Sequence, residues 1–227
     1  MAPDTWAKDR LGALRKEWMG CERCGLHRGR KHLVFGSGNP RADILIIGEG
    51  PGEDEDNVGD PFVGQSGDVL NSFLDGAHIN RNRDCYISNV VCCRPWIEVD
   101  DPRIRGGKRK ENRKPSREER EACRPRLLEL IYIVDPLIIV AMGKVANSAI
   151  TSASANITAI RGRLQTAEFE GRHRPIRYPV MPVFHPAFLL RNPAQGPETA
   201  WDKTSEDFAE VGLILERARQ VYGGRDG

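Results

Sequence analysis

The stretch Gly48–Gly64, GEGPGEDEDNVGDPFVG, carries one carboxylate at Glu49 and four more in a row from Glu53 to Asp56. It follows a short apolar run, DILIIG, that reads as a buried strand. A glycine-rich turn after a strand commonly cradles phosphate through backbone N–H groups and a nearby Lys. This turn has no Lys, and its acids would repel phosphate. It asks for a different substrate. Two further polar residues stand at the ends of apolar runs: Asn89 in CYISNVVC and His185 in YPVMPVFHP. Singly, each is unremarkable, and a lone His is more often structural than catalytic. Three polar groups at converging strand ends are what a pocket for a small polar heterocycle needs.

The six cysteines offer a second chemistry. Cys21-x-x-Cys24 has the spacing that lets two thiolates share one metal, and Cys93 and Cys123 flank a basic segment. Spacing alone suits a tetrahedral zinc about as well as an iron–sulfur cluster. Composition favours zinc. The segment between them, RIRGGKRKENRK from Arg103 to Lys114, holds seven Lys or Arg against one acid and reads as a loop. Further Arg stands at Arg161, Arg163, Arg172, Arg174, Arg177 and Arg191. A single charge run is usually solvated surface. A basic loop containing glycines, inside a globular chain, raises the prospect of contacts with a phosphate backbone.

The elements that must position these residues follow from hydrophobic patterning. DILIIG, CYISNVVC, PLIIVAMG and YPVMPVFHP have strand length, and the first and third are continuously apolar, as in parallel strands covered on both faces. Helical patterns lie between and after them: SGDVLNSFLDGA, SREEREACRPRLLELIYIV with a capping box at Ser116 and Glu119, GKVANSAIT, and TSEDFAEVGLILERARQV. This alternation predicts a three-layer α/β/α fold with a four-stranded parallel sheet, in one domain over residues 1–227. Ligands in such folds bind at the carboxyl ends of the strands. The amphipathic N-terminal segment MAPDTWAKDRLGALRKEWMG lacks the apolar core of a signal peptide, and the formal net charge is only +2. A monomeric cytoplasmic or nucleoid-associated protein without a membrane span is expected.

In these residues the chain resembles the uracil-DNA glycosylase superfamily, most closely its family 4. The resemblance rests on CERCGLHRGRKHLVFGSGNPRADILIIGEGPGEDEDNVGDPFVGQSG, YISNVVCCRP, ENRKPSREEREACRPRLLELI, DPLIIVAMGKVA, RGR at Arg161 and VFHPAFLLRNP, in family order from Cys21 to Pro193. It implies sheet order 2-1-3-4, hydrolysis of uracil from uracil-containing DNA, single- or double-stranded, and a [4Fe–4S] cluster in place of zinc. The implied ligands are Cys21, Cys24, Cys93 and Cys123. Cys92 would face away from Cys93 on a strand, and Cys85 reads as core.

The resemblance also distributes roles. Glu55 would position water and Glu49 would form the pocket wall, both near an oxocarbenium-like sugar. Asp56 and Glu53 would be solvated or turn-forming. Gly50 would admit the flipped base, and Phe62 would stack on it. Asn89 would accept from uracil N3–H and donate to O4, the reverse of the cytosine pattern. His185 would donate to O2 as charge builds there. Leu189 or Leu190 would enter the minor groove, and Arg191 would contact phosphate. Lys108, Arg109, Lys110, Asn112 and Arg113 would bind DNA.

The segment between Cys93 and Cys123 departs from the family in its length. GGKRKENRKPS resembles the loop of relatives that capture uracil-DNA covalently, with Asn112 where their capturing His falls. Asn cannot form that adduct, so turnover is expected. Two other readings stand beside it: a uracil-DNA binder that traps or holds the base without turnover, and a zinc-bearing nucleic-acid module. The second leaves Glu49, Asn89 and His185 unexplained.

Overall fold

The computed structural model describes residues 3–153, 155–170, 175–194 and 196–222; Arg172 and Arg174 lie outside them. The strands in chain order are β1 (Ser37–Gly38), β2 (Ile44–Gly48), β3 (Cys85–Asn89), β4 (Trp96–Asp100), β5 (Lys108–Asn112), β6 (Ile138–Met142), β7 (Gln165–Phe169) and β8 (Ile176–Val183). The helices are α1 (Pro3–Trp18), α2 (Glu53–Val58), α3 (Gln65–Gly76), α4 (Arg81–Asp84), α5 (Arg117–Val134), α6 (Gly143–Thr151), α7 (Ile157–Ile160), α8 (Pro186–Arg191) and α9 (Ala200–Tyr222).

The main sheet runs β1-β3-β2-β6-β8-β7. Its middle four strands, β3-β2-β6-β8, are mutually parallel. The two edges are antiparallel, β1 on β3 and β7 on β8. The sheet is therefore wider than the four strands expected. The edges escape the apolar pattern because β1 is two residues long and β7, QTAEF, buries mainly Ala167.

The continuously apolar strands divide their side chains between two cores, as a period of two demands. From β2, Leu45 and Ile47 enter one core and Ile44 and Ile46 the other. The first core is closed by α1 (Ala7, Leu11, Leu14, Trp18), α5 (Leu127, Leu130, Ile131) and α6 (Val145, Ala146, Ile150). The second is closed by α3 (Val69, Leu70, Phe73, Leu74) and α9 (Phe208, Val211, Leu215). Helices thus cover both faces, and Cys85 belongs to the second core. The predicted capping box of α5 forms: Ser116 Oγ accepts from the Glu119 N–H at 3.2 Å, and Glu119 Oε2 accepts from the Ser116 N–H at 2.7 Å. Among the described residues no helix is long and apolar enough to cross a membrane.

The basic segment is not a loop. It forms the second arm of a hairpin, with β4 and β5 paired from Trp96↔Asn112 to Asp100↔Lys108. Every residue of β5 is exposed. A two-stranded ribbon with solvent on its faces needs no apolar alternation, so the charge run hides the strand.

Candidate active site

The carboxyl ends of the parallel strands open into a cavity of about 350 Å³. Of the residues expected at the site, Glu49, Gly50, Glu55, Phe62, Asn89, Asn112, Arg113, His185 and Arg191 line it. Lys108, Arg109, Lys110, Leu189 and Leu190 do not. Pro51, Gly52, Ser66, Pro95, Lys114 and Ala187 complete the lining without having been singled out from sequence.

Asn89 forms the floor. It is fully buried at the last position of β3, and its Oδ1 has no hydrogen-bond partner. Buried acceptors are nearly always satisfied, so this one marks a place where a donor is to arrive. Gly48, beside it on β2, makes room. A Cβ there would stand 2.3 Å from Asn89 Oδ1 and 2.8 Å from Phe62 Cζ. Phe62 adopts a left-handed backbone at φ 54°, which costs energy for a residue with a side chain. Two contacts hold it there. Arg81 Nη2 donates to the carbonyls of Pro61 and Phe62 at 3.0 and 3.2 Å, and Gly67 lets α3 begin against the Phe62 carbonyl.

His185 caps the N-terminus of α8, and its Nδ1 accepts from the Ala187 N–H at 3.1 Å. Its ring lies 5.9 Å from that of Phe62. Burial, with the Arg191 charge nearby, pulls its pKa down to about 4. The imidazole is therefore neutral near pH 7. Since Nδ1 is an acceptor, the ring proton sits on Nε2, ready to donate.

The carboxylates separate by burial and partner. Glu55 is committed to backbone: Oε2 accepts from the Gly52 N–H at 2.9 Å, and Oε1 from Val63 at 3.2 Å and Gly64 at 3.5 Å. It closes the glycine-rich turn. The Glu49 carbonyl accepts from the Val91 N–H at 3.4 Å, but the Glu49 carboxylate forms no hydrogen bond or ion pair among the described residues. Burial raises its pKa above the ordinary carboxylate value, against the pull of Lys114, Arg120 and Arg191. The Glu49 side chain is thus left without a partner in the cavity it walls, while Glu55 is held by the turn. Asp56 departs from the solvated place expected for it. It is buried rather than solvated, and its Oδ1 accepts from the Lys31 and His32 N–H groups at 2.9 and 3.3 Å. Glu53, largely exposed, reaches Arg94 at 3.3 Å.

Much of the hairpin's positive charge is spent within the hairpin. Lys108 pairs with Glu98, Arg109 with Asp101 and Glu111, and Arg103 with Asp101. Lys110 lies over the Trp96 ring at 3.9 Å. Arg113 grips both oxygens of Glu119 at 2.6 and 2.8 Å and so serves the α5 cap. Asn112 does face the cavity, with its Oδ1 held by Arg94 Nε at 2.7 Å. The two leucines of α8 differ in exposure. Leu189 is 0% exposed in the core, against 37% for Leu190, so only Leu190 is available to a groove.

Five of the six cysteines lie on the first core, with Cys92, Cys93 and Cys123 buried in it and Cys21 and Cys24 packed against it. Arg30 Nη1 bridges the Cys21 carbonyl at 2.6 Å and Cys93 Sγ at 3.4 Å. Burial pushes the Cys93 thiol up to about 11. Cys92 and Cys93 lie past the end of β3, so strand alternation does not separate them. Both are buried, and a hydrogen bond between Cys92 and Cys123 raises the former and lowers the latter. Among the described residues no group of three or more His, Cys, Asp or Glu is drawn together tightly enough to hold a metal ion.

A profile of the uracil DNA glycosylase superfamily matches residues 35–211. A type-4 uracil-DNA glycosylase of Thermotoga maritima is 40% identical over 173 residues, 76% of this chain and 79% of that protein. One from Pyrobaculum aerophilum is 35% identical over 174 residues, 77% of this chain and 81% of its own. One from Saccharolobus solfataricus is 33% identical over 224 residues, covering 96% of this chain and 94% of the relative.

Proposed function

Because the chain belongs to the uracil-DNA glycosylase superfamily and has its glycosylase function in DNA repair, we propose that it hydrolyses the N-glycosidic bond of uracil flipped out of DNA, leaving an abasic site. The observation that carries this reading is the unpaired, buried Oδ1 of Asn89 at the cavity floor. Uracil N3–H supplies the missing donor there, and cytosine, with a bare N3, does not. Phe62 forms the adjoining wall. The neutral His185 presents Nε2–H to O2 as negative charge develops, which favours bond cleavage without a full proton transfer. The Glu49 carboxylate, unpaired among the described residues, in its ionised form stabilises the oxocarbenium-like sugar and orients the water that attacks C1′. Glu55 holds the turn that presents Glu49 and Gly50. A single-turnover assay on U:G, U:A and single-stranded uracil tests the reading. Release of uracil and an alkali-labile abasic site supports it, and retention of the base in a non-covalent complex refutes it.

Turnover is favoured over covalent capture by Asn112. It lines the cavity, but an amide whose Oδ1 already accepts from Arg94 is not a nucleophile. Abasic DNA is therefore released. Asn112→His yields a protein–DNA product stable to SDS and heat, whereas a wild-type adduct overturns this assignment.

Cys21, Cys24, Cys93 and Cys123 fit a [4Fe–4S] cluster by donor type. They are four thiols from three segments, gathered on one core, with the Arg30 cation beside Cys93. When bound, the cluster supplies a structural cross-link between the N-terminal segment and α5. Cys→Ala at any of the four loses iron and stability together. Full iron in Cys93→Ala with loss in Cys92→Ala would reassign the ligand.

A further inference from the structure

Arg126, in the interior of α5, is 0% exposed and has no carboxylate partner among the described residues. Its neighbours Leu127 and Leu130 show what ordinarily packs a helix onto this sheet. A buried guanidinium without a counter-ion is strongly unfavourable unless its donors are placed with purpose. The two terminal nitrogens are placed specifically, while Nε has no partner among the described residues. Nη1 donates to Ser88 Oγ at 2.8 Å, and Nη2 donates to the Asn89 carbonyl and, at 3.2 Å, to that of Val90. Ser88 Oγ in turn donates to the Phe35 carbonyl at 2.7 Å.

These bonds fall where β3 ends. Beyond Asn89 the backbone turns from the strand, tied to β2 by Val90 N–H on the Gly48 carbonyl at 2.9 Å. Successive side chains of a strand point to opposite faces. Ser88 faces α5 and Arg126, and Asn89 faces Phe62 and the cavity. Arg126 therefore grips the main chain directly behind the Asn89 amide. The planar fork spans a hydroxyl and two carbonyls at once, a geometry that Lys cannot reproduce.

We infer that Arg126 is a positioning residue for base recognition: by holding the carbonyls of Asn89 and Val90 from behind, it fixes the placement of the Asn89 amide in the cavity. The inference rests on the reading of Asn89 as the contact to the uracil edge. It also gives the cysteine-bearing helix a direct hold on the base pocket, since Cys123 lies one turn earlier on α5.

The test compares Arg126→Lys, Ser88→Ala and Asn89→Ala in the intact, iron-loaded protein. It reads inhibition of excision by free uracil, the kcat and KM for a single-stranded uracil oligonucleotide, cluster absorbance and Tm. Arg126→Lys is expected to weaken free-uracil affinity about tenfold, with iron retained, because a charged hydrogen-bond set is lost behind the contact. Ser88→Ala, which keeps the cation, weakens it roughly threefold. A role in packing alone lowers Tm and leaves uracil affinity at the wild-type value, which overturns the inference. If Arg126→Lys does not fold with its iron, Ser88→Ala decides by the same criterion. Asn89→Ala separates the two levels. Weak uracil binding there with normal binding in Arg126→Lys and Ser88→Ala sinks the inference alone. Normal binding in Asn89→Ala sinks the reading of the pocket, and the inference falls with it.

Discussion

In the β4–β5 hairpin, Lys108 meets Glu98 at 3.3 Å, and Arg109 meets Asp101 at 3.2 Å and Glu111 at 2.9 Å. In the strand-end cavity, Asn89 Oδ1 meets nothing, and the Glu49 carboxylate forms no hydrogen bond or ion pair among the described residues. The hairpin residues are close in sequence and neutralise one another in solvent, where such pairs contribute little. Asn89 and Glu49 come from segments far apart in sequence, and the Asn89 Oδ1 and the Glu49 carboxylate stay unpaired among the described residues, while the cavity's other polar side chains, such as Glu55, Asn112 and Arg113, are engaged. Unmet polar capacity, not density of charge, distinguishes the place where a ligand is bound. The hairpin's stronger claim to function is at its base, where Asn112 reaches the cavity wall.

The sharpest way to break this contrast is to change what Asn89 offers. Asn89→Asp keeps the shape but replaces the amide N–H donors with a second acceptor oxygen. Uracil excision should fall about a thousandfold, since a mismatched buried polar group is among the costliest changes in a recognition site. A trace of cytosine excision should appear, because the carboxylate accepts from the N4 amino group. Single-turnover rates measure both. A loss of uracil activity below about tenfold would remove Asn89 from the centre of the site.

Glu49 comes next. Glu49→Gln should lower the rate about a hundredfold by removing the charge opposite the sugar cation. The wild-type enzyme should also show an acidic limb placed above the ordinary carboxylate range. Burial raises the Glu49 pKa, the ionised form is the active one, and activity is therefore lost as pH falls through that raised value. His185, pulled down to about 4, stays neutral across this window and adds no limb near 6.5, the ordinary histidine value. A pH–rate profile of Glu49→Gln should lack the acidic limb. If the limb persists there, another group sets it.

What the sequence disclosed of this site follows the same physics. β2 and β6 were legible because burial on both faces forces unbroken apolar runs, and Glu49, Asn89 and His185 were legible because the ends of such strands are where ligands bind. The hairpin was not, because an exposed ribbon imposes no pattern. Glu55 and Glu49 look alike in a row of letters, and only the Gly52, Val63 and Gly64 N–H groups show which one is occupied. The buried hold of Asp56 on the Lys31–His32 backbone, and the parts of Arg94 and Arg126, were missed for a related reason. Each residue acts on backbone or side chain 18 to 41 positions away, through contacts such as Arg94–Asn112, Arg94–Glu53 and Arg126–Asn89 that leave no local signature.

The two leucines of FLLR give a smaller effect. Leu190→Ala should reduce excision from duplex DNA about tenfold, by removing a wedge that offsets the cost of unstacking the base, and should leave single-stranded substrate almost untouched. Leu189→Ala should instead destabilise the fold by about 2–5 kcal/mol through a core cavity, read as a lower Tm. Equal losses on both substrates in Leu190→Ala would place that side chain outside the groove.

The smallest effect should come from the hairpin itself, and it bears most directly on the contrast. Arg191 lies on the cavity rim, forms no ion pair among the described residues, and acts electrostatically on both Glu49 and His185. It has a full charge to offer a phosphate. Arg109 has two carboxylates on it already. Binding of a phosphate by Arg109 must first displace those acids, so the net release of counterions from DNA is small. Affinity of uracil-containing DNA should therefore be measured against salt concentration for both variants. Arg191→Ala should flatten the log–log slope by about 0.9 on duplex DNA, the contribution of one neutralised phosphate. Arg109→Ala should leave the slope within error of wild type and change affinity less than about threefold. A slope change in Arg109→Ala as large as in Arg191→Ala would show that the hairpin's ion pairs open on DNA. The hairpin would then be a part of the DNA-binding surface rather than a self-neutralised scaffold for Asn112.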